Sequence, residues 1–348
     1  MSTRSHLTLT ALSALLALSA CDEAADLGDV EFRAEVDNSA ALNGIYINGI
    51  YINGIYINGI YINGIYINSA LLGGATVGGV DFVGGLDPKG NAVTCTRLDE
   101  TKGKISVISA AGGCDVDPQK GEEAKGDKAI GTMLEFTSPD GDYRLTLDDA
   151  DEVDHLYRYL ISVEFKDDAE GWTGETHPLC YDGLGNPTEA LLLPGEWDQT
   201  TGERLDDSFT TLTVACRHAA LAKCVEWGYL PGDAPTKDHH QACVHMVRAD
   251  YDATGEAHTE NGTTIYVNDA IGVNDEDDVE GLIKEAEWGV DGALCVNRAA
   301  FRHSELTGCE DPSDPATCFP GIPECGGDLS DRSLTMPGAL LVTAVLGS

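Results

Sequence analysis

Hydrophobic and polar positions divide this chain into stretches of different period. Leu7-Thr8-Leu9-Thr10-Ala11-Leu12-Ser13-Ala14-Leu15-Leu16-Ala17-Leu18 is an apolar and small-residue run preceded by Arg4 and by no acid. Its length suits the core of a signal peptide and is too short to span a bilayer as a helix, so residues 1–20 read as a signal peptide and residues 21–41 as an acidic linker. From Asn43 the unit Asn-Gly-Ile-Tyr-Ile runs five times and closes on Asn68. Fainter Gly-Gly pairs carry that periodic zone to about residue 86.

Beyond about residue 92 the pattern changes. Thr132–Thr137, Tyr143–Leu147 and Leu156–Phe165 alternate with a period of two and predict strands, with Pro139-Asp140-Gly141 a turn between the first two. Ala190–Leu193 predicts a further short strand turning at Pro194-Gly195. In 212–227, Val214, Ala215, Cys216, Ala219, Ala220, Cys224 and Trp227 recur at helical intervals. A second helix is predicted from about Lys237 to Ala249, joined to the first through Gly228-Tyr229-Leu230-Pro231-Gly232. A disulfide such as Cys224–Cys243 would pin the two as a hairpin. Thr263–Val267 and Gly292–Val296 read as strands. The apolar Met336–Leu346 is too short for a membrane span and reads as another.

The repeat combines opposed tendencies. Ile-Tyr-Ile is strongly β-prone, whereas Asn-Gly is a tight-turn signal because both residues tolerate positive φ. A glycine at every fifth position excludes a helix. Hairpins would leave strands of three residues, so a β-solenoid with Asn-Gly corners is the expected form. Packing on the downstream domain, and self-pairing between chains, stay open beside it, because uncharged Ile-Tyr-Ile segments with free edges are aggregation templates. The predicted fold class is α+β and β-rich. A short β-solenoid-like repeat (42–86) precedes a disulfide-stapled mixed domain (92–348) with a helical hairpin.

Charge narrows the partners. The 348 residues carry 21 Lys+Arg against 59 Asp+Glu, a formal net charge of −38. Such a surface repels nucleic-acid phosphates and anionic headgroups, which excludes nucleic-acid binding. Eleven cysteines are present. With Cys21 set apart, Cys95, Cys114, Cys180, Cys216, Cys224, Cys243, Cys295, Cys309, Cys318 and Cys325 make an even set, as an exported disulfide framework predicts. Their connectivity stays open. No two of them lie two to four residues apart, so the paired spacing of a structural zinc site is missing.

Leu18-Ser19-Ala20-Cys21, small residues before a cysteine and acid after it, resembles the lipobox of bacterial lipoproteins. The resemblance implies cleavage before Cys21, lipidation of that residue and attachment to a bilayer, with the outer membrane or cell surface ahead of the inner membrane. The Tyr-Ile-Asn steps (Tyr46/Asn48, Tyr51/Asn53, Tyr56/Asn58, Tyr61/Asn63, Tyr66/Asn68) resemble the crosslinking motif of peptides that radical SAM enzymes mature into cyclophanes. That is the alternative function, a modified substrate.

A longer resemblance covers roughly residues 155–302. Ala215-Cys216-Arg217, Ala222–Tyr229, His240–Cys243 and Met246-Val247-Arg248-Ala249-Asp250-Tyr251, followed by His258–Ile265 and Trp288–Cys295, resemble the ADYC domain of bacterial exported proteins. The family's naming cysteine is Asp252 here, which implies that its partner is absent or re-paired. The resemblance implies an extracytoplasmic, disulfide-bonded domain and brings no activity with it.

Candidate chemistry is sparse. His239, His240 and His245 fall on or near the second helix without the glutamate of a zinc hydrolase, and are expected on its solvated surface. No Gly-x-Ser-x-Gly elbow is present, and five disulfides would leave no free thiol nucleophile. The acidic runs Asp148–Glu152 and Asn274–Asp278 are dense enough for Ca2+ but lack the glycine and terminal glutamate of an EF-hand loop. The expectation is therefore a structural or binding protein with no cofactor and an unidentified envelope partner. An unrecognised hydrolase ranks last.

Overall fold

The computed structural model describes residues 45–47, 64–68, 81–98, 102–109, 123–138, 141–167, 171–181, 186–198, 201–206, 211–217, 219–259, 263–274, 280–302, 309, 311 and 314–346. All belong to the compact unit Arg33–Ser348. Cys21, Cys114 and the repeat residues Asn48, Tyr51, Asn53, Tyr56, Asn58, Tyr61 and Asn63 lie outside the described residues.

In chain order the first strands are β1 (Ile45–Ile47), β2 (Gly64–Asn68), β3 (Asp81–Leu86), β4 (Cys95–Leu98), β5 (Ile105–Ile108), β6 (Glu123–Lys125), β7 (Met133–Ser138), β8 (Gly141–Val153) and β9 (Leu156–Asp167). There follow β10 (Gly171–Trp172), β11 (His177–Pro178), β12 (Ala190–Pro194), β13 (Glu196–Trp197), β14 (Arg204–Asp206) and β15 (Thr211–Cys216). Two helices come next, α1 (Ala220–Glu226) and α2 (Lys237–Arg248), then β16 (Thr263–Asp269), β17 (Leu282–Gly289), β18 (Gly292–Val296) and β19 (Leu341–Leu346).

These strands form a nine-stranded sheet of order β2-β15-β12-β9-β8-β7-β3, with β10 and β11 on β9, and a five-stranded sheet of order β1-β16-β19-β17-β18. A three-stranded sheet β4-β5-β6 and the hairpin β13-β14 complete them. The helices lie between the two large sheets. One core joins Leu191, Leu193 and Ala215 of the nine-stranded sheet to both helices and to Ile265, Val267, Ala286 and Trp288 of the five-stranded sheet. A second joins Ala190, Leu192 and Val214 to Ile105 and Val107 of the small sheet. β12 is thus buried on both faces, which is why it reads as an unbroken apolar run rather than an alternation.

The β8–β9 hairpin turns at Asp154 (φ 51°) and His155 (φ 71°) between the paired Val153 and Leu156. Positive φ at both central residues marks the turn type that favours Asn-Gly. His155→Gly is therefore expected to raise stability by about 0.5–1 kcal/mol in urea unfolding, because a left-handed backbone strains a residue with a Cβ.

The structure changes one expectation, places part of the repeat and adds a strand the sequence did not show. The segment 212–227 is not one helix: Thr211–Cys216 pairs with β12 as β15, and helix begins only at Ala220. Its β-branched Thr213 and Val214 fit that pleat, and sheet pairing overrides the helical spacing. The two described stretches of the repeat are each the terminal strand of a domain sheet, β1 on β16 and β2 on β15, which is the packing on the downstream domain left open beside the solenoid; the rest of 48–80 lies outside the described residues. Leu282–Gly289, a central strand, carried no sequence signal, because Lys284, Glu285 and Glu287 break its alternation and all three are buried.

Four disulfides join Cys180–Cys216, Cys224–Cys243, Cys295–Cys325 and Cys309–Cys318, and Cys95 is disulfide-bonded as well. Cys224–Cys243 ties α1 to α2. Closing a loop of that length constrains the unfolded chain by about 3 kcal/mol. Cys224→Ser with Cys243→Ser should lower the unfolding free energy by about that amount, read from urea midpoints at constant m-value.

Candidate functional site

The densest polar chemistry in the described residues sits where α2 ends. Ala249 takes the left-handed conformation (φ 53°) that stops the helix, and its N–H and that of Asp250 donate back to Met246 O and His245 O. The chain leaves with Asp250 and Tyr251 turned into separate buried networks. Both residues are fully buried, as is Arg248.

Asp250 anchors the first. Its Oδ2 lies 2.9 Å from His245 Nδ1 and 3.6 Å from Arg248 Nη1, and its Oδ1 accepts from Gly255 N at 3.1 Å. With Nδ1 donating to the carboxylate, His245 Nε2 accepts from Gln241 Nε2 at 2.9 Å. The other Gln241 contacts run to Gly202 O (2.8 Å) and from Trp197 Nε1 (3.1 Å). Arg248 donates to Thr201 O and Gly255 O. Burial pulls the Arg248 pKa below its ordinary value, with Asp250 opposing. The aspartate–histidine pair has the geometry that orients a catalytic base, but its far nitrogen meets a glutamine that is itself held at both ends. The chain of bonds closes on Trp197 rather than on a nucleophile.

Tyr251 anchors the second. Its hydroxyl donates to Glu285 Oε1 (2.6 Å) and accepts from Arg302 N (2.9 Å), while Arg302 Nε donates to the same carboxylate oxygen at 2.6 Å and Nη2 to Met246 O at 2.7 Å. Burial and the neighbouring Glu285 push the Tyr251 hydroxyl well above its ordinary pKa. Burial works to lower the Arg302 pKa, but Glu285 outweighs it and the guanidinium stays charged. Glu285 Oε2 and Arg302 Nη1 are buried and lack a hydrogen-bond partner among the described residues. The Tyr251 ring stacks on Trp288 (5.1 Å between centroids, 23°) and packs against His258, Phe301 and Phe319.

Glu287, two residues from Glu285 on β17, holds the C-terminal segment. It accepts from Lys284 Nζ (2.7 Å), Thr335 Oγ1 (2.6 Å), Thr335 N (2.8 Å) and Met336 N (2.7 Å). Burial raises its pKa, but these donors prevail and the carboxyl sits below its ordinary value.

The histidines are not on a solvated surface. His239, His240 and His245 are all buried, at 7%, 0% and 2% exposure. Helix α2 packs against α1 and against β17, β18 and β19 of the five-stranded sheet, with Trp197 on His240 and Gln241, so its histidines meet protein rather than water. His240 Nε2 contacts Leu221 O, and burial depresses its pKa to about 3. Burial lowers His239 and His258 too. A histidine neutral when folded but protonated when unfolded withdraws stability as pH falls from the unfolded pKa, about 6.5, toward the folded one. Stability is therefore expected to fall through that window, by up to about 1.4 kcal/mol per pH unit per histidine. The slope should shrink in His240→Gln, measured by urea unfolding.

Among the described residues no group of three His, Cys, Asp or Glu is placed to hold a metal ion. Asp148–Glu152 lies along β8, and 275–279 falls outside the described residues. A cavity lined by Lys102, Leu156, Tyr157, Leu192 and Pro194 has a volume of about 10 Å³, room for one water. Asp252 is exposed, its Oδ1 accepting from Thr254 Oγ1 at 2.9 Å. No helix among the described residues is long and apolar enough to cross a membrane.

Sequence reasoning quoted Asp250 and Tyr251 as a motif without seeing their roles, and missed Glu285 and Arg302. Arg302 closes the matched region, but nothing near Glu285 signals that it is buried. No curated protein and no solved structure matches the chain. The family model of the ADYC domain matches residues 126–302, beginning earlier than the resemblance near 155 and so taking in the β7–β8 strands. That match spans slightly more than half of the 348 residues, and it holds the hydrogen-bonded members of the Asp250 and Tyr251 networks from Trp197 to Arg302; the chain belongs to the ADYC domain family.

Proposed function

We infer that this protein is a lipid-anchored, extracytoplasmic lipoprotein of the cell envelope with a structural or binding role. The observation that carries the reading is the set of four disulfides stapling the domain from Cys180 to Cys325, which belongs to an oxidising compartment. The Leu-Ser-Ala-Cys sequence at Cys21 supplies the anchor. The structural role is supported by the use of the ionisable groups around α2, where His245, Asp250, Glu285 and Arg302 are turned into internal bonds.

The test is Cys21→Ser. The native protein is expected in the detergent phase with an acylated N-terminal peptide, and the variant in the aqueous phase without one. Identical partition of the two would overturn the anchor.

A second reading, modification of the Tyr-Ile-Asn steps by a radical SAM enzyme, is favoured by one feature. Gly64–Asn68, which contains one such step, is an extended strand. Each crosslink would remove two hydrogens, so peptide mass separates this reading from the first.

A further inference from the structure

We propose that the Asp314–Pro315 peptide bond is a self-cleavage site, opened in mild acid by the side chain of Asp314, in a fold that holds together after the break. The bond lies in the loop that Cys309–Cys318 closes. Asp311, Asp314, Pro315 and Ala316 of that loop are exposed. An Asp-Pro bond is more acid-labile than other peptide bonds for two chemical reasons. The tertiary amide nitrogen of proline takes up a proton more readily than a secondary one, and an aspartate carboxyl reaches its own carbonyl carbon through a five-membered ring.

The turn adds a third. Asp314 O accepts from Thr317 N at 3.0 Å and from Thr317 Oγ1 at 2.8 Å. Two donors thus sit on the oxygen that gains negative charge when its carbon is attacked. The Thr317 hydroxyl hydrogen is shared with Asp311 O at 3.0 Å, and Oγ1 accepts from Asp311 N at 2.9 Å, which fixes its position. The Asp314 carboxyl folds back over the same turn, its Oδ1 accepting from Ala316 N at 3.0 Å. Among the described residues, Asp311 is the other charged side chain of this loop.

The step balances. A carboxyl oxygen of Asp314 bonds to its own carbonyl carbon, the carboxyl proton passes to Pro315 N, and the C–N bond breaks. Asp314 is left as a cyclic anhydride and Pro315 as a free secondary amine. One water then opens the anhydride to two carboxyl groups.

Asp87, which precedes Pro88, shows the opposite arrangement. It is 7% exposed, its Oδ1 accepts from Lys89 N and Asn91 N, and its Oδ2 accepts from Asn91 Nδ2 and Ser109 Oγ. Four donors hold that carboxylate away from attack, so Asp87–Pro88 should survive where Asp314–Pro315 opens. Beyond the break the chain stays bound. Cys309–Cys318 and Cys295–Cys325 bridge it, and Arg298 donates to Cys318 O, Phe319 O and Ile322 O. Strand β19 lies between β16 and β17, and Glu287 holds Thr335 and Met336.

The experiment incubates the purified full chain in mildly acidic buffer made with heavy-oxygen water and inhibitors of every protease class. Intact mass is followed with and without reduction. The expected product has gained one water carrying heavy oxygen, is a single species before reduction, and releases a fragment beginning at Pro315 after it. Asp314→Glu, whose carboxyl would need a six-membered ring, should slow cleavage at least about tenfold. Thr317→Val, which removes one donor to the carbonyl, should also slow it at least about tenfold. Near-UV circular dichroism checks that both variants are folded. A chain that stays whole, a break at a different bond, or a rate that either variant leaves unchanged overturns the proposal.

Discussion

Replacing Glu285 by alanine is expected to cost about 3–5 kcal/mol of unfolding free energy, the range for stranding a buried charge by removing its partner. Glu285 Oε1 receives the Tyr251 hydroxyl and the Arg302 Nε, both at 2.6 Å, and Arg302 is only 6% exposed. Without the carboxylate the guanidinium keeps its charge and its Met246 contact but loses its counter-ion, and among the described residues Arg302 Nη1 already lacks a hydrogen-bond partner. Glu285→Ala with Arg302→Met should recover part of the loss, since removing both members of a buried pair is often nearly neutral. Urea unfolding of the single and double variants is the check. A single-variant cost below about 1 kcal/mol would mean that the pair behaves as a solvated one.

Asp250→Ala carries the other large effect, again about 3–5 kcal/mol. The carboxylate is the acceptor for His245 Nδ1 and Gly255 N and the counter-charge of Arg248, so its loss strands donors on three sides. Asp250→Asn keeps an acceptor but puts an amide N–H₂ among those donors, and should fall between alanine and the native residue. The two networks meet at the end of α2, where Met246 O accepts from Arg302 and Asp250 N donates to His245 O. Asp250→Ala and Glu285→Ala are therefore expected to be non-additive by at least about 0.5 kcal/mol in a double-mutant cycle.

Much of the framework was legible because alternation and turn residues report local geometry directly. Thr132–Thr137, Leu156–Phe165 and Gly292–Val296 were read as strands and are strands, and helix α2 was placed within a residue of its end. Two helices joined by a short Gly- and Pro-containing turn suggested a bridge such as Cys224–Cys243, which is present, while the connectivity as a whole could not be read from the sequence. What stayed hidden depends on tertiary surroundings. Lys284, Glu285 and Glu287 read as solvated charge but occupy a strand buried against helices and the C-terminal segment. The histidines of α2 read as solvated because a single helix pattern cannot show that α1, the five-stranded sheet and Trp197 cover it. The Asn-Gly-Ile-Tyr-Ile period gave strand and turn but not a partner, and a repeated unit fits any open edge as well as it fits itself. Asp250 and Tyr251 were visible as a motif, while their partners Arg248, Glu285 and Arg302 come together only through the fold.

An intact, non-reduced mass spectrum of the protein purified from its native envelope tests the central reading most directly. Of eleven cysteines, ten remain beside Cys21. The account predicts a chain starting at Cys21, bearing acyl chains and lacking ten hydrogens for five disulfides. A chain starting elsewhere without acyl mass would contradict the anchored lipoprotein, and a further loss of two hydrogens per Tyr-Ile-Asn step would make the repeat a modified product instead.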